Sequence, residues 1–123
     1  MNTILIIEDE KLLADALKRK LERSGFSVFI AIDGAEGLEF ALDKHPDLIL
    51  LDIVMPIMDG ITVLDRIRED EWGAKVPVLI LSNLSDAESI KESKASGIND
   101  YLIKTDWKIS DVVKRVKETL KNR

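Results

Sequence analysis

The sequence predicts an α/β fold, a parallel sheet with helices packed on both faces. Three observations lead there. Five short apolar runs alternate with five helical patterns along the chain, the order that builds successive β–α–β crossovers. The two central runs, Leu48–Leu51 and Val78–Leu81, are apolar at every position, as suits a strand covered on both sides. The length, 123 residues, suits one domain spanning 1–123, and no Pro/Gly/Ser-rich linker, repeat or low-complexity run divides it. A folded chain of this mass exposes roughly 6,600 Å² and buries about two thirds of its unfolded surface, enough for one core without staples.

The elements follow in order. Thr3–Ile7 is the first strand. A helix over about Glu10–Ser24 aligns Leu13, Leu17 and Leu21, with Gly25 as its stop. Ser27–Ile32 is the second strand. The helix of about Ala35–Lys44 turns Leu38, Ala41 and Leu42 inward and ends before Pro46. Leu48–Leu51 is the third strand, and a helix starting near Asp59-Gly60 carries Val63, Leu64 and Ile67. Val78–Leu81 is the fourth strand. The helix after it, about Asp86–Ser96, is the weakest, with only Ala87, Ile90 and Ala95 among several serines, so it reads as shallow and of low local stability. Tyr101–Ile103 is the fifth strand. The last helix, Ser110–Lys121, is the clearest, with a stripe of Ile109, Val112, Val113, Val116 and Leu120 and Ser110 as its candidate N-cap.

Composition narrows the function classes. The absence of cysteine excludes disulfides, thiolate metal sites and cysteine nucleophiles. One histidine, His45, excludes multi-histidine metal centres; it sits at a helix end and reads as a surface residue. No apolar run is long enough for a membrane span or a signal peptide, so a cytoplasmic protein with no membrane partner is expected. Net charge is −5, with an uneven distribution: residues 104–123 carry +4 and residues 1–103 carry −9. An acidic body does not suit direct DNA binding, which needs a basic surface against phosphate. The basic last helix suits an acidic partner or plain solvation.

In a parallel sheet of this kind ligands sit beyond the carboxyl ends of the strands. There the sequence sets Glu8, Asp9 and Glu10 after the first strand, Asp52 after the third, Ser82 after the fourth and Lys104 after the fifth. Two like charges about 4 Å apart cost about 4 kcal/mol at an effective dielectric near 20. Lys104 offsets one unit, and a divalent cation would offset two more. The available ligands are all oxygens, which points to magnesium before zinc. Asp52 follows four apolar residues and sits where a buried strand surfaces. A carboxylate so placed can act as a nucleophile toward phosphoryl groups, a transfer that depends on positioning and charge neutralisation.

Four motifs occur in order: Ile6-Ile7-Glu8-Asp9-Glu10; Pro46-Asp47 followed by Leu48–Leu51 and Asp52-Ile53-Val54-Met55-Pro56-Ile57-Met58-Asp59-Gly60; Leu79-Ile80-Leu81-Ser82; and Asn99-Asp100-Tyr101-Leu102-Ile103-Lys104. On these residues the chain resembles the receiver domains of two-component response regulators, related to the bacterial chemotaxis regulator, over about residues 3–121. The resemblance implies a flavodoxin-like (βα)5 three-layer sandwich of strand order 2-1-3-4-5. It implies that Asp52 accepts a phosphoryl group from a sensor histidine kinase or a histidine phosphotransfer protein. Asp9 and Asp52 would ligate Mg2+ directly, Glu8 through water, and Val54 through its backbone carbonyl. Lys104 would contact the phosphoryl oxygens, Ser82 would bond the phosphoryl group on activation, and Tyr101 would be the switch aromatic. The readout to a downstream protein target would use the fourth helix, fifth strand and fifth helix. The expected protein is a stand-alone receiver without an output domain, a monomer or a weak phosphorylation-dependent dimer, and no enzyme beyond its own phosphoryl transfer and autodephosphorylation.

Three departures from the family pattern stand out. Thr105 replaces the usual proline after the lysine. Because a cis bond before a non-proline residue costs about 2.5–4 kcal/mol, Lys104–Thr105 is expected trans, or cis only under strong surrounding contacts. Asn83 replaces a small residue beside the phosphoryl position, so an altered dephosphorylation rate is expected. Glu8 stands where aspartate is commoner, a change that a water-mediated ligand tolerates. Other classes fit less well. A flavin-binding protein needs a phosphate loop where Glu8-Asp9-Glu10 would repel the anion. An aspartate-nucleophile phosphatase commonly has an acid two residues on, where this chain has Val54. A receiver-like module that signals by contact without phosphorylation is the remaining alternative.

Overall fold

The structure, a computed structural model, describes residues 2–123. In chain order it contains β1 (Thr3–Ile7), α1 (Lys11–Arg23), β2 (Ser27–Ala31), α2 (Gly34–Lys44), β3 (Leu48–Leu51), α3 (Gly60–Glu69), β4 (Val78–Ser82), α4 (Ala87–Ser96), β5 (Asp100–Ile103) and α5 (Ile109–Lys121), with a 3-10 turn at Lys104–Asp106 before α5. The strands form one sheet in the order β2-β1-β3-β4-β5, and every pairing is parallel.

Strand periodicity divides the core in two. Ile4 and Ile6 join Leu48, Leu50, Leu79 and Leu81 against Leu17 and Leu21 of α1 and Val112, Val113 and Val116 of α5. Leu5 and Ile7 join Ile49, Leu51, Val78 and Ile80 against Ala41 of α2 and Val63, Leu64 and Ile67 of α3. The unbroken apolar runs therefore have the cause expected of them: alternate residues feed opposite layers. The accessible surface, 6686 Å², matches the estimate from mass.

Register sets the level of the rim. Ile7 pairs with Ala31 on one side and Leu51 on the other, so Glu8 and Asp52 leave neighbouring strands at the same height. Ser82 pairs with Ile103, which puts Lys104 one residue above it. The turn from Asp52 to α3 needs Gly60: a Cβ there would fall inside the backbone of Asp52 and Ile53, and the Gly60 N–H donates to the Ile53 carbonyl at 2.8 Å.

Local details depart from the sequence reading. Ser110 is not the N-cap of the last helix; that helix starts at Ile109, and Lys108 stands at the cap. Ser110 falls in the first turn and is exposed, and the Asp111 carboxylate accepts from the Lys108 N–H at 3.4 Å instead. Leu42 does not point inward but is 36% exposed. In α4 the apolar members Ala87 and Ala95 are exposed, and the one buried residue is Ser93, whose hydroxyl donates back to the Ser89 carbonyl at 2.9 Å. The α4 terminus is held from outside. Arg68 of α3 donates to the Gly97 carbonyl at 2.7 and 3.0 Å and to the carbonyls of Gly73 and Val76 at 2.7 Å.

Candidate functional site

Each rim residue is delivered by a strand end. Glu8 continues β1, its N–H donating to the Ala31 carbonyl at 3.0 Å, and Asp52 continues β3, its N–H donating to the Ile7 carbonyl at 3.0 Å. Both are buried, Glu8 to 2% and Asp52 to 5% exposure. Asp9 is exposed. One oxygen from each of Glu8, Asp9 and Asp52 lies within 4.8 Å of the others. Lys104 enters from the far side of β4. Its Nζ lies 2.8 Å from Glu8 Oε1, 3.1 Å from Asp52 Oδ2 and 3.5 Å from Glu10 Oε1. Asp52 Oδ1 accepts from the Ile53 N–H at 2.7 Å, and Glu8 Oε2 accepts from the Glu10 N–H at 3.0 Å. The Lys104 contact of Glu10 is one that the sequence did not single out.

The electrostatics follow from one lysine among several acids. Burial, opposed by the Lys104 hydrogen bond, pushes the Glu8 carboxyl up to about 7. Burial pulls the Lys104 ammonium down, but the Glu8 hydrogen bond and the neighbouring acid charges outweigh it and hold Lys104 above its ordinary value. So the lysine stays charged, and burial works against the ionised form of Glu8. An all-oxygen donor set, close-packed and short of positive charge, fits a hard divalent cation such as magnesium. Asp9, Glu10, Asp52 and Lys104 line a cavity of about 300 Å³ together with Val54, Ser82 and Asn83.

Ser82 is fully buried, and its Oγ accepts from the Leu84 N–H at 3.2 Å. Tyr101 is half-buried, and its hydroxyl donates to the Leu84 carbonyl at 2.7 Å. Burial raises the Tyr101 pKa, with a Ser82 hydrogen bond acting against it. Both side chains thus hold the backbone of Leu84, Ser82 at its N–H and Tyr101 at its carbonyl. The Lys104–Thr105 bond is trans, as is every peptide bond among the described residues, and Lys104 reaches Asp52 without a proline behind it. The site therefore unites Glu8, Asp9, Asp52, Val54, Ser82 and Lys104, with Tyr101 one shell out. His45 lies at the other end of the sheet, exposed at the C-cap of α2.

The model of the response regulator receiver domain family matches residues 4–117. The chain belongs to that family. Curated relatives of this receiver domain include the "DNA-binding dual master transcriptional regulator RpaA" of Synechocystis, 38% identical over 98% of this chain and 50% of the relative. Another is the transcriptional regulatory protein PrrA of Mycobacterium tuberculosis, also 38% identical over 98% of this chain and 50% of its own. The chain spans about half the length of these relatives. Among solved structures, the receiver domain of the Francisella response regulator 1452 superposes with a TM-score of 0.89 at 34% identity, covering 99% of this chain and 98% of that one. A CheY-like receiver domain protein of Methanospirillum hungatei superposes with a TM-score of 0.92 at 26% identity, covering 99% and 95%. The flavodoxin-like strand order expected from the motifs is the order observed. Among the described residues no helix is long and apolar enough to cross a membrane.

Proposed function

We propose that this receiver is a phosphorylation switch in which Asp52 takes a phosphoryl group from a phosphohistidine of a sensor histidine kinase or phosphotransfer protein. The observation that carries the reading is Lys104 Nζ 3.1 Å from Asp52 and 2.8 Å from Glu8, beside three carboxylates whose oxygens converge within 4.8 Å. Asp9 and Asp52 would hold magnesium directly, Glu8 through water, and Val54 by its carbonyl. Bound there, the cation would supply charge neutralisation for the phosphoryl oxygens.

A carboxylate oxygen of Asp52 attacks phosphorus, the P–N bond to the donor imidazole breaks, and its electron pair goes to that nitrogen. Lys104 meets the charge on the transferred oxygens. Ser82 leaves the Leu84 N–H and donates to the phosphoryl group. The Asn83-Leu84 segment follows and frees the Tyr101 hydroxyl, which biases an existing equilibrium between two states of α4 and β5. The α4–β5–α5 face, with Lys114, Lys117 and Lys121 on its basic helix, then meets a downstream protein. Asn83 at the cavity mouth tunes how fast water removes the group, so an Asn83→Ala variant should change the lifetime. Cytoplasmic location, a monomer or weak phosphorylation-dependent dimer, and no direct DNA contact by this domain belong to the same reading. The DNA-binding activity in a relative's name belongs to a chain twice as long.

The test is intact mass after incubation with acetyl phosphate and magnesium. One phosphoryl group should be gained, and none with EDTA or in Asp52→Asn. No gain, together with no binding of beryllium trifluoride by Trp107 fluorescence, would leave a receiver that signals by contact alone.

A further inference from the structure

Away from the rim site, α2 and the β3–α3 loop enclose an open groove of about 440 Å³. Its walls carry Asp33, Glu36, Glu39 and Asp43, and its apolar members are Ala35, Phe40 and Ile57. No lysine or arginine lines it. Lys44 lies 3.5 Å from Asp43, and both partners of that pair are largely exposed. Ile57 is 80% exposed and sits at φ 71°, a region that β-branched residues avoid. The Met58 N–H donating to the Pro56 carbonyl at 2.8 Å closes the tight turn around it. Phe40 continues the apolar floor toward Phe29 on the edge strand, with ring centroids 5.0 Å apart and Phe29 45% exposed.

We infer that this groove docks a basic segment of a partner protein that presents an apolar side chain to Ile57 and Phe40. A turn that holds an isoleucine in the left-handed region and in water gains nothing for the free domain; glycine or asparagine would sit there with less strain. The four acids are spread along successive turns of α2, and among the described residues only Glu8, Asp9 and Asp52 converge closely enough for one ion. An extended run of lysines and arginines therefore suits the groove, and a metal does not. A second copy suits it less, because the basic element of this chain is α5, which packs on the face of the sheet opposite α2, so two copies cannot make an α5-to-α2 contact reciprocally. The groove is separate from the face formed by α4, β5 and α5, so the inference stands whether or not Asp52 is phosphorylated.

The test uses an unstructured peptide of lysine and leucine, with lysine–serine and glutamate–leucine peptides as controls, titrated against the labelled protein by NMR. Shifts should cluster at residues 33–43 and 57 with the lysine–leucine peptide alone. A Glu36→Lys/Glu39→Lys variant should weaken binding about tenfold, and Ile57→Asn by a similar factor of about ten. A charge-matched Glu22→Lys/Glu69→Lys variant should bind as the parent does. Ile57→Asn should also melt no lower than the parent, which separates lost docking from lost folding. Shifts spread over the whole acidic surface, equal loss in the charge-matched variant, or concentration-dependent self-association that Glu36→Lys/Glu39→Lys abolishes would each overturn the assignment.

Discussion

The two ends of the sheet share the same strands and the same core, yet differ in how they place charge. At the amino end side chains serve the backbone. Asp47 Oδ2 accepts from the Thr3 N–H at 2.7 Å, Asn99 Oδ1 accepts from the Val78 N–H at 3.0 Å, and Arg123 donates to the Asp47 carbonyl at 3.2 Å. His45 stacks on Trp72 with centroids 4.5 Å apart. At the carboxyl end acids crowd one lysine, Ile57 holds a positive φ, and Gly60 is pressed against the backbone of Asp52. Backbone strain does not divide the two ends, because His45 at the amino end also holds a positive φ and Gly73 is pressed against the Ile67 carbonyl. What sets the carboxyl end apart is buried charge crowded around one lysine, and local rules tend to break where function is carried.

The largest effect expected at the carboxyl end is that of Gly60→Ala. The added methyl meets backbone atoms that cannot swing away, so a loss of about 3 kcal/mol is expected from urea unfolding, with phosphorylation of Asp52 impaired as its loop shifts. Wild-type stability on substitution would show that the loop has slack. Magnesium comes next in size. A cation that binds only the folded site at a hundred times its dissociation constant adds about 2.7 kcal/mol, and the gain should vanish in Asp9→Asn. An equal gain in that variant would place the cation elsewhere.

Aspartate removal should then change sign between the ends. Asp47→Ala loses the acceptor of the Thr3 N–H and a partly exposed ion pair with Arg123 at 3.4 Å, and should cost about 1 kcal/mol. Asp52→Asn, measured without magnesium, should raise stability by up to about 1 kcal/mol, because Lys104 keeps Glu8 and Glu10 while one like charge leaves. The asparagine retains an acceptor for the Ile53 N–H. A loss in both variants would mean that Asp52 is structural and that its end of the sheet is as settled as the other.

Much of this was legible in the residues. The strands show as apolar runs because both faces are covered, and the rim residues show because each directly follows a run. What stayed hidden depends on contacts between distant segments. Nothing local marks Arg68 as the tie between α3 and Gly97, Glu10 as a neighbour of Lys104, or His45 as a partner of Trp72. Ser93 is buried because of where α4 lies, not because of its polarity. The Ser110 cap failed for a related reason: Asp111 one residue later offers a charged acceptor, and the helix starts early enough to use it.

The smallest expected effect concerns the helix starts, which gather at the carboxyl end. Asp59 caps α3, accepting from the Thr62 N–H at 3.0 Å, and its hydroxyl at 2.9 Å. Slight burial works to raise the Asp59 pKa, but the Thr62 hydrogen bonds prevail and hold it below the ordinary value. Hydrogen bonds from Ser89 lower Asp86, the cap of α4, in the same way. A carboxyl depressed by folding contributes stability that is present above its unfolded pKa, about 3.9, and is lost as pH falls through the lower folded value. Asparagine caps nearly as well but does not titrate. At pH 7 Asp59→Asn should therefore be slightly less stable than the parent, by about 0.5 kcal/mol, through loss of the charge that favours the helix dipole. Below the folded pKa the difference should close. Urea midpoints of both proteins at pH 7 and at strongly acid pH measure it. A difference that stays constant across that range would show that the cap charge contributes nothing, and that acid weakens both ends of the sheet alike.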